Sequence, residues 1–78
     1  MPTVLRIGGL RFFFYSSEGN EPPHIHIEQA DNVAKYWLEP VELANSYGFS
    51  AKEINHIRKL VIDNQAQFKQ AWYEHFNH

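Results

Sequence analysis

The chain has 78 residues, a net charge of −2 and no cysteine. It is too short for more than one domain, residues 1–78, and has neither a disulfide framework nor a thiolate zinc site. The charge excludes a strongly basic nucleic-acid module, whose pI would exceed about 9, but not a local basic patch.

Val4–Ile7 and Leu10–Tyr15 flank Gly8-Gly9. A Gly-Gly pair between apolar runs predicts a two-residue hairpin, because both central residues need φ > 0. Ile7 then faces Leu10, Arg6 faces Arg11, Leu5 faces Phe12 and Val4 faces Phe13. Because Met1–Ile7 reads as a strand and Arg6 interrupts any apolar run, no signal peptide is expected. No apolar run approaches the roughly 20 residues that span a bilayer. The expected location of so small a disulfide-free chain is the cytoplasm.

Ser16–Glu21 reads as a polar loop, which Pro22-Pro23 ends in extended backbone. His24–Gln29 and Val33–Leu38 form a second hairpin around Ala30-Asp31-Asn32. Pairing Ile27 with Ala34 and Ile25 with Tyr36 keeps apolar side chains together, and puts His26 opposite Lys35 and His24 opposite Trp37. Pro40 and Gly48 punctuate a short helix over 40–48. Ser50-Ala-Lys-Glu53 is a capping box. Ile54, Ile57, Val61, Phe68, Trp72 and Phe76 then follow at helical steps. They predict one long helix over 50–76, nearly 40 Å at about 1.5 Å per residue. The fold class is α+β: an antiparallel sheet of about four strands with helices on one face. A core of this size supplies about 3–5 kcal/mol, so support from a partner is expected, including a homodimer through the C-terminal helix.

His24-Ile25-His26 is the sharpest local feature. Strand alternation puts both imidazoles on one face, about 7 Å apart at Cα, with Ile25 and Ile27 turned to the core. Lys35 and Trp37 join them from the neighbouring strand. If the hairpins share a sheet, Arg6, Arg11, Phe13 and Tyr15 lie there too, with the helices on the opposite face. Arg6 opposite Arg11 is a like-charge pair. It reads either as two side chains splayed into water or as an anion site for RNA phosphate or an acidic partner.

The histidines have three readings: solvated strand residues, acid–base or anion-binding groups, or metal ligands. Histidine titrates nearest neutrality, so two on one face suit proton transfer at phosphate. Metal-independent RNA cleavage needs a base, an acid and a cation, which His24, His26 and Lys35 or an arginine supply. A metal would need a third ligand such as Glu21 or Glu28; no metal or cofactor is assigned. Tyr15 and Trp37 suit base stacking, or serve only as sheet formers. Trp72 and Phe76 read as core or as a partner contact, and His78 as solvated tail.

Pro2-Thr-Val-Leu-Arg-Ile-Gly-Gly9, Arg11-Phe-Phe-Phe-Tyr15 and Glu18-Gly-Asn-Glu-Pro-Pro-His-Ile-His26 resemble the prokaryotic domain-of-unknown-function family 4160. Ala34-Lys-Tyr-Trp-Leu-Glu-Pro-Val-Glu-Leu-Ala44 and Gly48-Phe-Ser-Ala-Lys-Glu53 extend the resemblance over almost the whole chain. The resemblance implies the toxin position of a toxin–antitoxin pair, neutralised by a small cognate antitoxin, with the paired histidines as hallmark. It implies no particular reaction. The functional expectations are therefore a toxin-like component acting on RNA, a non-enzymatic interaction or regulatory module, or a metal-binding protein. Under the first, alanine at either histidine should abolish growth inhibition without unfolding the chain.

Overall fold

The computed structural model describes residues 3–15 and 19–76. Expectations for Met1, Pro2, Ser16–Glu18 and His78 fall outside them. Five strands form one antiparallel meander in chain order: β1 (Thr3–Ile7), β2 (Leu10–Phe13), β3 (His24–Gln29), β4 (Asn32–Leu38) and β5 (Val41–Tyr47). Two helices follow, α1 (Ala51–Asp63) and α2 (Gln65–Phe76). The fold is α+β, with one strand more than expected.

Gly8 and Gly9 both have positive φ, as the tight β1–β2 turn requires. Ile7↔Leu10, Arg6↔Arg11 and Leu5↔Phe12 pair as the turn predicts. Beyond them the register breaks. An irregularity between Thr3 and Leu5 sets Thr3, not Val4, opposite Phe13, and Val4 packs against the core instead. Such a bulge redirects one side chain on an edge strand. In the second hairpin every expected pair is present, including His24↔Trp37 and His26↔Lys35. β2 joins β3 through Arg11↔Glu28, Phe12↔Ile27 and Phe13↔His26, so the hairpins share one sheet.

The expected helix over 40–48 is strand β5. Pro40 follows a cis peptide in the turn, and Val41 pairs back to Leu38. Val41 and Leu43 alternate toward the core while Glu42 faces out. So short a segment gains little from helical hydrogen bonds alone, and pairing with β4 prevails.

The second correction concerns the long helix over 50–76, which breaks at Asn64. Ser50 caps α1: its side chain accepts from the Glu53 N–H, while the Glu53 carboxylate accepts from the Ser50 N–H. At the other end the Asn64 side chain donates to the Leu60 carbonyl at 2.8 Å, and Gln65 donates to the Leu38 carbonyl at 2.6 Å. Asparagine competes for helical carbonyls in this way. Beyond the break α2 packs on β3 and β4, and the longest dimension of the described residues is 34 Å. Replacing Ser50 with alanine should cost about 1 kcal/mol, read as a lower urea midpoint at unchanged slope.

Both helices cover the inner sheet face. Phe12, Ile25, Ile27, Tyr36 and Leu38 pack there against Ile57, Val61, Phe68 and Trp72. Burial pushes the Tyr36 hydroxyl above its usual pKa, and it donates to the Ile54 carbonyl at 2.9 Å, pinning α1 to β4. Trp72 is buried in this core and Phe76 is half-buried against it.

Candidate functional site

The outer sheet face carries the residues singled out from the sequence. Alternation brings Arg11 and Phe13 from β2, His24, His26 and Glu28 from β3, and Lys35 and Trp37 from β4 onto one surface. Their rings form a continuous chain. Phe13 stacks on His26 at 5.5 Å, Tyr15 meets His26 edge-on at 4.7 Å, His26 meets His24 at 5.1 Å, and His24 meets Trp37 at 5.6 Å. A cation closes each end: Arg11 lies over Phe13 at 4.3 Å and Lys35 over Trp37 at 4.5 Å. Such contacts add roughly 0.5–1 kcal/mol each at exposed sites.

The two histidines are not equivalent. Both were expected to point outward, but His24 is fully buried. Trp72, arriving on α2 from the inner layer, closes over its ring at 4.7 Å. Its Nδ1 lies 2.9 Å from the Pro22 carbonyl. A carbonyl only accepts, so Nδ1 carries a hydrogen toward it. Pro23 fixes this corner by accepting from the Leu38 N–H at 3.0 Å. His26 is only partly buried, between Phe13 and Tyr15.

The cations are engaged as well. Arg11 donates to Glu28 at 2.7 Å and to the Thr3 hydroxyl at 2.9 Å, which relieves its opposition to exposed Arg6. Lys35 donates to Glu21 at 2.8 Å, and that carboxylate lies 3.9 Å from His24 Nδ1. Tyr15 remains 41% exposed and Trp37 is half-buried. Among the described residues no three histidine, aspartate or glutamate side chains converge as metal ligands, and Glu28 turns to Arg11.

Three features of this surface were not legible in the sequence. Phe13, foreseen on this face, is buried there. Trp72, read from the sequence as core or as a partner contact, reaches His24 from α2. β5 adds Glu42, Asn45 and Tyr47 opposite Trp37, Lys35 and Val33, and the 74% exposure of Tyr47 makes an aromatic rim. Period-two spacing over 41–43 was the available signal for β5.

One corner beside this surface gathers a carboxylate, an ammonium and a phenol. Lys69 approaches the Glu39 carboxylate at 3.1 Å, and Tyr73 donates to it at 3.0 Å. The bond to Lys69, then that to Tyr73, holds the Glu39 carboxyl below its ordinary 4.5. Donation to Glu39 in turn holds the Tyr73 hydroxyl above its usual value. A carboxyl depressed on folding stabilises the native state above its unfolded pKa, and that contribution is lost as pH falls through the folded value. The α2 clasp on the β4–β5 turn should therefore loosen below the ordinary carboxyl range. Glu39→Gln should remove that part of the acid limb in unfolding followed by circular dichroism.

Among the described residues no helix is long and apolar enough to cross a membrane. No curated protein and no solved structure matches the chain. Comparison with protein families matches residues 9–73 to a domain of unknown function. That match takes in β2 to β5, the His-x-His strand among them, all of α1 and most of α2, and the chain accordingly belongs to the DUF4160 family.

Proposed function

We propose that this chain is the toxin-like component of a prokaryotic toxin–antitoxin module, acting in the cytoplasm on RNA and neutralised by a small cognate antitoxin. The observation that carries this reading is the unequal histidine pair. A buried imidazole, oriented by a carbonyl, stands edge-on to a partly exposed one on a face that also holds Arg6, Arg11 and Lys35. His26 is the acid–base group that meets the target, and His24 is a positioning residue that fixes its ring. Arg6 attracts phosphate, and Tyr15 supports a base.

Growth on induced expression tests it. Wild-type chain should arrest growth, and His26→Ala should restore it while circular dichroism stays native. Full toxicity of the folded His26→Ala chain, or a harmless wild type, would contradict the reading.

A second reading is a non-enzymatic interaction module. It is favoured by the pairing of Arg11 with Glu28 and Lys35 with Glu21, which spends two cations inside the face. Under it, purified chain leaves total RNA intact, and Arg6→Glu weakens binding to the partner. RNA cleavage that disappears with His26→Ala would rule it out.

A further inference from the structure

β1 is one edge of the sheet, bonded to β2 on one side and to no other strand among the described residues. An unpaired strand edge presents a row of backbone donors and acceptors. Beside this edge, between β1 and α2, runs a groove of ≈ 500 Å³. Val4, turned inward by the bulge, Phe14 and Ala71 give it apolar walls; Thr3, Gln70 and Glu74 line it with polar groups. Glu74 is exposed and supplies the negative charge, with Gln70 within 3.5 Å of its carboxylate. Along the opposite edge, β5, α1 packs close by, and Val41 and Leu43 are half-buried against the core.

We infer that the β1 edge and the β1–α2 groove bind an extended segment of a partner protein as a sixth strand, with alternate apolar side chains in the groove and a lysine or arginine against Glu74. A strand edge beside a helix is a recurring way to hold a peptide. The backbone ladder gives affinity, and side-chain pockets give selectivity. Every second residue of an added strand faces the groove, so two or more apolar side chains reach Val4, Phe14 and Ala71. The carboxylate sets the sign of the charged residue. This inference requires neither toxicity nor chemistry at the histidines, and it uses a different surface.

The test is to select a phage-displayed random peptide library against the full chain and map an enriched peptide by amide shifts on the labelled protein. Enriched sequences should alternate apolar residues and carry a basic one. They should shift Thr3–Ile7 and the Gln70–His75 turns of α2. Glu74→Lys should weaken binding about tenfold, because attraction becomes like-charge contact. Ala71→Trp should block it by filling the groove. Glu74 is exposed, so its variant decides the matter even if Ala71→Trp disturbs packing. The inference is overturned if no peptide is enriched, if the shifts fall on the outer face, or if the chain sediments as a dimer paired through β1.

Discussion

Trp72→Ala is expected to leave the chain largely unfolded at 25 °C. Trp72 is 1% exposed and joins both sides of the sheet end: Phe14 edge-on at 5.3 Å, Phe76 at 4.2 Å and the His24 ring at 4.7 Å. Removing a buried tryptophan costs about 3–5 kcal/mol from lost burial and the cavity left behind. That equals the whole stability expected of a core this size, about 3–5 kcal/mol. Trp72→Phe keeps the aromatic contacts and should remain folded with a lower midpoint. Near-ultraviolet circular dichroism and urea titration separate the outcomes. A cooperative, native-like transition for Trp72→Ala would show that α2 is dispensable to the core.

The second large effect separates the histidines. His24→Ala removes a fully buried ring from between Trp37 and Trp72, and takes the donor from the Pro22 carbonyl. The expected cost is about 2–4 kcal/mol, combining a cavity with an unsatisfied carbonyl. His24→Asn keeps an N–H donor and should recover part of it. His26→Ala loses a partly exposed ring in contact with Phe13, Tyr15 and His24, and should cost about 1 kcal/mol. Loss of function in His24→Ala is thus confounded with unfolding, whereas His26→Ala reads the site itself. Equal urea midpoints for the two alanine variants would contradict this division.

The second hairpin was legible because Ile25, Ile27, Ala34 and Tyr36 allow one register that keeps both faces consistent. Gly8-Gly9 fixed the first turn, yet nothing in Thr3-Val4-Leu5 announces a bulge, so the pairing beyond Leu5 was misplaced. β5 was hidden because Pro40 and Gly48 are also helix punctuation, and Val41-Glu-Leu-Ala fits either period over so short a run. Asn64 stands at a place where the helical repeat of apolar residues continues across it; only its bond to Leu60 and the Gln65 bond to Leu38 reveal the break.

Alternation correctly assigned His24 and His26 to one face. It says which way a ring leaves the strand, not what comes to cover it. The burial of His24 depends on a helix far along the chain turning at Asn64. The ion pair of Arg11 with Glu28 depends on how β2 meets β3 across a loop whose length leaves the register open. Both are tertiary facts, and both alter the chemistry of the site more than the strand pattern does.

The account rests on His24 being sealed within the fold while His26 faces outward. Carbethoxylation of the native chain by diethyl pyrocarbonate, followed residue by residue by mass spectrometry, measures this difference, with exposed His56 and His75 as internal references. His26 should be modified in the folded chain, and His24 should stay protected until denaturant is added. Reaction of His24 as fast as His56, or protection of His26 equal to that of His24, would contradict it.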